Sequence, residues 1–307
     1  MEHDAGKGAC RINSSWERKE GDLMSQKYKG IMCIMLSAVC FALMNVFIRL
    51  AGDLPSMQKS FFRNLVSFFF ALIMMKRKKV GFSGDKKNLR FLVCRSIFGL
   101  IGILCNFYAV DHLVMADASM LNKMSPFFAI LFSYILLKEK VSLQQAAAVA
   151  GAFLGSLLII KPTGFDLANM PAFIGLMGGL GAGIAYTFVR ILGTRGEKGP
   201  FIVCFFSGFS TLVLLPVMIF NFTPMTVWQV VILLMAGVLA AGGQFGVTAA
   251  YTYAPAKEIS VFDYTQILYS ALFGFVLFGQ VPDACSWIGY AIICGMGVWM
   301  FFQQRKA

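Results

Sequence analysis

Residues 30–50 read GIMCIMLSAVCFALMNVFIRL, and residues 171–191 read PAFIGLMGGLGAGIAYTFVRI. The stretches stand 141 positions apart, and in that register Phe47-Ile48-Arg49 lies on Phe188-Val189-Arg190. The register holds along the chain. Gly52 falls on Gly193, Phe68 on Phe209, Gly102 on Gly243, Asp117 on Glu258, Ser119 on Ser260, and Leu131-Phe132 on Leu272-Phe273. A duplication kept in one register through an apolar chain is the sequence mark of a membrane carrier built from two homologous halves.

Composition points the same way. Of 307 residues, 58% are hydrophobic and 14% charged, too apolar for a water-soluble domain, so the solvent is lipid. Ten apolar runs are long enough to cross a bilayer, at about 30–50, 56–75, 91–110, 113–137, 144–160, 172–192, 200–220, 227–250, 258–279 and 285–302. Of the 27 Lys and Arg, twenty fall in loops on one side, among them Lys76-Arg77-Lys78-Lys79, and two, Lys59 and Lys161, on the other. Positive-inside bias therefore places both termini in the cytoplasm. It also accounts for the net charge of +12 with no nucleic acid as a partner. With only two His, and eight Cys that form no CxxC pair, neither a metal site nor another cofactor is expected. The cysteines read as small buried hydrophobes.

Each copy supplies five helices, and an odd number turns the second copy upside down in the membrane. The expected architecture is an all-α integral membrane protein, an inverted repeat of two five-helix bundles. Residues 1–27 form a disordered cytoplasmic leader without the apolar core of a signal peptide. The first repeat covers 28–161, the second 162–303, and a cytoplasmic tail 304–307. The halves meet at the Lys161-Pro162-Thr163-Gly164 turn.

A charge at bilayer depth costs at least about 2.5–3.5 kcal/mol, so it should face protein or water. Helical spacing aligns Arg95, Gly99, Gly102 and Asn106 in the third helix, and Ser119, Asn122, Ser125 and Pro126 in the fourth. Asn45 and Tyr186 are repeat partners on the first and sixth helices, and Gln244 and Tyr251 share a face of the eighth. Asn122 is the repeat partner of Asp263. Asn122, Lys123, Asp263, Tyr264 and Gln266 cluster near mid-helix, where carriers hold cargo between repeats. Lys123 and Asp263 are expected to meet and form an ion pair, and Arg95 to act as a gate or an anion contact. Arg49 and Arg190 lie near helix ends, where they can snorkel to headgroups, and Arg63 is read with them as less telling. Glu139 and Glu258 read as loop ion pairs. Pro126 should loosen the fourth helix, a break that Ile267, its repeat partner, does not reproduce. The glycines, alanines and serines on these stripes read first as plain helix packing. No phosphate loop, GxSxG or HExxH motif occurs, so an enzyme is not expected.

Two further stretches bear a likeness. Ser125-Pro126-Phe127 runs on to Leu137-Lys138-Glu139-Lys140-Val141, and Phe262-Asp263-Tyr264-Thr265-Gln266 is followed by Gly274-Phe275-Val276-Leu277-Phe278-Gly279-Gln280-Val281-Pro282-Asp283. Over residues 28–303 the chain resembles the EamA-like branch of the drug/metabolite transporter superfamily. It departs at Gln280, where an acidic residue is common. The resemblance implies a ten-helix inverted repeat with cytoplasmic termini. It also implies transport of amino acids, amines, carboxylates, riboflavin or related metabolites. Together these readings lead us to expect a secondary transporter in the bacterial cytoplasmic (inner) membrane. Its cargo would be a small polar metabolite, amino-acid-like, zwitterionic or nucleoside-like. The candidate coupling ion is a proton, and the assembly a monomer or homodimer. Efflux of cationic drugs or amines is the rival within transport. A membrane enzyme or scaffold is the rival outside it, and a channel is disfavoured because no ring of charge repeats.

Overall fold

The computed structural model describes residues 5–81, 86–137, 142–160, 170–253 and 262–306, with side chains described only from Tyr28 and not at 86, 137, 145, 160, 251–253, 300, 301 and 304–306. The expected leader, Glu139 and Glu258 lie outside the described side chains. All regular structure among the described residues is helical: α1 (Ala5–Leu50), α2 (Ser56–Arg77), a short 3-10 turn (Lys86–Asn88), α3 (Leu89–His112), α4 (Met115–Asn122), α5 (Ser125–Leu137), α6 (Leu143–Ile160), α7 (Met170–Thr194), α8 (Gly199–Phe220), α9 (Val227–Tyr253), α10 (Thr265–Phe278) and α11 (Ala284–Lys306). Six spans are long and apolar enough to cross a membrane, the α4–α5 run from Met115 to Leu136 counting as one, and α6, α10 and α11 hold shorter apolar stretches. α2 matches them in length but buries Gln58, Lys59, Ser60, Arg63, Asn64 and Ser67.

Local chemistry sets the ends. Pro200 occupies the first turn of α8, where its missing N–H removes no helical bond. α10 stops at Gly279, held left-handed at φ 61°, with its N–H on the Phe275 carbonyl (3.0 Å) and that of Gln280 on the Gly274 carbonyl (3.0 Å). The Gln280 side-chain oxygen then accepts from the Met115 N–H at 3.1 Å and so caps α4.

The helices pack in a definite set of pairs: α1 on α9, α3 on α7, α2 on α8 and α9, α6 on α11, α5 on α7, and α1 and α4 on α10. In lipid no hydrophobic force drives helices together, so small residues and close backbone approach must do it. At the α3–α7 crossing a Cβ on Gly181 would lie 2.8 Å from the Phe98 carbonyl oxygen, and one on Gly102 3.0 Å from the Ala182 nitrogen. At the α1–α9 crossing the Ser37 hydroxyl donates to the Gly243 carbonyl at 2.7 Å. Gly102 and Gly243, matched by the repeat, thus both sit at helix crossings. Leu212, Phe220, Leu268 and Phe275 are exposed on the outer surface, where lipid covers them. The seven described cysteines are free.

The tightest approach is at Gly179 of α7, where an added Cβ would overlap the Leu121 carbonyl oxygen, while Gly295 of α11 faces open space. Gly179→Ala is expected to cost about 1–3 kcal/mol by overpacking. Gly295→Ala should be neutral or stabilising by up to about 1 kcal/mol. Thermal denaturation of the two purified variants checks this, and equal melting temperatures would contradict it.

Candidate functional site

The fourth span is two helices, not one. α4 ends at Asn122, Lys123 and Met124 form a turn, and α5 restarts at Ser125. Pro126 therefore sits in the first turn of α5, where the lack of an N–H leaves the Asn122 carbonyl without its usual helical donor. The ninth span breaks as well. Phe262 and Asp263 are helical, Tyr264 is a turn, and α10 begins at Thr265. Lys123 and Tyr264 are repeat partners, so the break occurs in both copies and the expectation that only the proline-bearing copy would break is corrected. Ile267 has an N–H, and it donates to the Tyr264 carbonyl at 3.0 Å, one residue tighter than an α-helical bond. α7 backs the first break closely, because Gly179 and Gly183 leave room for the Leu121 and Ser125 carbonyls.

At these breaks the two copies touch through charge. Lys123 Nζ lies 2.7 Å from Asp263 Oδ1, with the two side chains 5% and 6% exposed. The ion pair expected between them is present. Leaving either charge alone at this depth would be expensive, and the pair offsets part of that desolvation. Nearby, Ser119 donates to Ser270 at 2.7 Å, and the Tyr290 hydroxyl donates to Asp117 at 2.6 Å. Beside the ion pair, these two hydrogen bonds tie α4 to α10 and α11.

Lys123 also lines a cavity of about 70 Å³. Its polar wall brings together Asn45 from α1, Arg95 and Asn106 from α3, and Asn122 at the end of α4. Tyr186 from α7, Gln244 from α9 and Gln266 from α10 complete it. Asp263 joins through Lys123. Tyr264 does not reach this wall. Its ring lies 6.4 Å from that of Phe127 and packs over Gly297 of α11. The Tyr251 side chain lies outside the described residues.

Arg63 and Phe206 line the cavity too. The signal for Arg63 was present in the chain: Ser60, Arg63, Asn64 and Ser67 recur at helical spacing, a buried polar stripe on an otherwise phenylalanine-rich helix. Phe206 carries no such signal, since a phenylalanine in an apolar run is ordinary. Arg95 lies over the Phe206 ring with Cζ 3.6 Å from its centroid, and Arg63 is 5.9 Å from the same centroid. Gly99 makes the first contact possible, because a Cβ there would come within 2.8 Å of Arg95 Nη1.

Two other cations depart from the sequence reading. Lys59 is no loop charge; its ammonium is fully buried and bonds both Asp111 oxygens, at 2.7 and 2.8 Å. Arg49 does not snorkel outward but donates to the carbonyls of Val110 and Leu113 at 3.0 and 2.7 Å, capping the end of α3, and lies over Phe278.

Bilayer-length helices around a polar, charged cavity suit a membrane transporter. Comparison with known proteins agrees. A profile of the EamA-like transporter family matches residues 28–161. The pseudopaline exporter of Pseudomonas aeruginosa is 31% identical, covering 86% of this chain and 93% of the exporter. The riboflavin transporter of Rhizobium johnstonii is 25% identical over 92% of this chain and 94% of its own. Human solute carrier family 35 member G1 is 24% identical over 90% of this chain and 81% of its own. A solved crystal structure at 15% identity shares the fold, with a TM-score of 0.65 over 90% of this chain and 98% of its own. The chain belongs to the EamA-like transporter family, within the drug/metabolite transporter superfamily.

The Lys123–Asp263 contact predicts non-additivity. Lys123→Met and Asp263→Asn should each destabilise by about 3–5 kcal/mol, since each strands a buried charge. The double variant should fall short of the sum by at least about 1 kcal/mol. Denaturation of the four proteins measures the coupling, and additivity within about 0.5 kcal/mol would contradict the pair.

Proposed function

We propose that this protein is a secondary carrier that moves a small polar metabolite across a bacterial cytoplasmic membrane by alternating access. One observation carries the reading. The cavity is walled by α1 to α4 from one side of the chain's midpoint and by α7 to α10 from the other, so it lies between the copies that the 141-residue register relates. That is where carriers built from inverted repeats hold their cargo.

The packing supports inversion. Under the register α1 corresponds to α7 and α3 to α9, so the α1–α9 pair maps onto the α3–α7 pair, while α2–α8 and α6–α11 map onto themselves. Self-mapping pairs are what a two-fold axis generates. On this reading the repeats are 28–161 and 162–303, ten spans in all, with both termini cytoplasmic. Asn45, Arg95, Asn106, Asn122, Lys123, Tyr186, Gln244 and Gln266 would contact cargo, and Asp263 would position Lys123. Amides, a tyrosine and charges of both signs suit an amino-acid-like, zwitterionic or nucleoside-like compound. The relatives described as a riboflavin transporter and a pseudopaline exporter support a metabolite cargo, and the second supports export. A cationic drug is served less well, because the Asp263 carboxylate already holds Lys123.

Release from proteoliposomes loaded with a defined mixture of amino acids, riboflavin and nucleosides tests the proposal. At least one compound should leave wild-type vesicles about tenfold or more faster than vesicles carrying Lys123→Met, as loss of one positioned charge implies. Identical release of every compound would contradict it.

A further inference from the structure

The cavity's charges do not balance, and the imbalance says what it takes. Lys123 is matched by Asp263. Arg63 and Arg95, each 3% exposed, are matched by no carboxylate among the described residues. Arg95 Nε and Nη1 and Arg63 Nε have no hydrogen-bond acceptor, while Arg63 Nη1 donates to Asn64 at 2.8 Å. A guanidinium cannot shed its proton, so both charges persist. The Phe206 face they share offers cation–π attraction but accepts no N–H bonds in the guanidinium planes. Elsewhere the chain treats its inward-facing cations differently: buried Lys59 has a carboxylate on it and half-buried Arg49 two carbonyls.

We propose that Arg63 and Arg95, over Phe206, form a carboxylate subsite, and that the transported metabolite is acidic, its carboxylates outnumbering its cationic groups. A guanidinium takes a carboxylate through charge-assisted N–H bonds, and Arg95 Nε and Nη1, on separate edges of the planar group, are both free to donate. The amide oxygens of Asn45 and Asn106, buried on the same wall with no donor, would take hydroxyl or amine hydrogens of the same molecule. This assignment rests on the carrier reading and narrows it. The chemistry excludes cargo whose net charge is positive.

Ligand-dependent melting of the purified full-length protein tests it. Matched probes are succinate against succinamide, and glutamate against glutamine, with lysine as the cation, each at about 10 mM and constant ionic strength. At least one acid should raise the wild-type melting temperature by about 2 °C or more, its amide and lysine should not, and the effect should vanish in Arg63→Met and Arg95→Met. Arg95→Lys, which keeps the charge but not the fork, should keep the preference for acid over amide with a smaller shift. Without ligand, Arg95→Met should melt no lower than wild type, because it removes an unmatched buried charge. Amides protecting as well as acids, protection by no acid, or acid protection surviving both Met variants would overturn the subsite. So would a fall of more than about 5 °C in unliganded Arg95→Met, which would make the arginine a packing element. None of these results bears on vesicle release, so the carrier reading stands or falls separately.

Discussion

A lysine and an aspartate buried together at bilayer depth constrain everything around them. Neither is tolerable there alone, and the structure places them 2.7 Å apart on helix ends, not in mid-helix. The interrupted backbone at Lys123-Met124 and at Tyr264 frees polar groups that only protein or water can satisfy. The glycines of α7 bring a neighbouring helix against the first break, and the serine and tyrosine contacts of α4 lock it to α10 and α11. Break, pair and small-residue crossing are one device.

The same device leaves a polar hollow. Beside the breaks at α4 and α10 the space is walled largely by side chains from other helices, the amides, the tyrosine and the arginines of α1, α2, α3, α7 and α9. Arg63 and Arg95 at the wall are destabilising in isolation. Their retention in a stripe that could have been apolar fits a stability–function trade-off, in which a site is kept short of one charge that its ligand brings.

Much of this was legible in the chain because the duplication marks positions twice. Gly102 and Gly243 emerged as a pair and both lie at crossings, and matching Asn122 with Asp263 put Lys123 next to its partner. What the chain hid were contacts between elements far apart in sequence and unrelated by the repeat. Lys59 looked like a loop charge because Asp111, 52 positions on, could not be assigned to it. Arg49 looked like a snorkelling residue because the carbonyls it caps have no sequence signature. Arg63 was weighed singly, although its polar neighbours at helical spacing put it inside. The second helix break was missed because proline was taken as its cause. The turn at Tyr264 forms without one, so the carbonyl–donor mismatch at Pro126 accompanies a break that packing imposes on both copies.

The account's central claim is that two copies of one bundle, inserted in opposite senses, close around the cavity. Sidedness of equivalent loops tests it most directly. In a background lacking the eight native cysteines, Lys78→Cys and Asn221→Cys, in the loops that the 141-residue register superposes, are probed with a membrane-impermeant thiol reagent in intact cells and in inverted vesicles. The account predicts labelling of Asn221→Cys from outside the cell and of Lys78→Cys from the cytoplasmic face only. Labelling of both from the same side would contradict it.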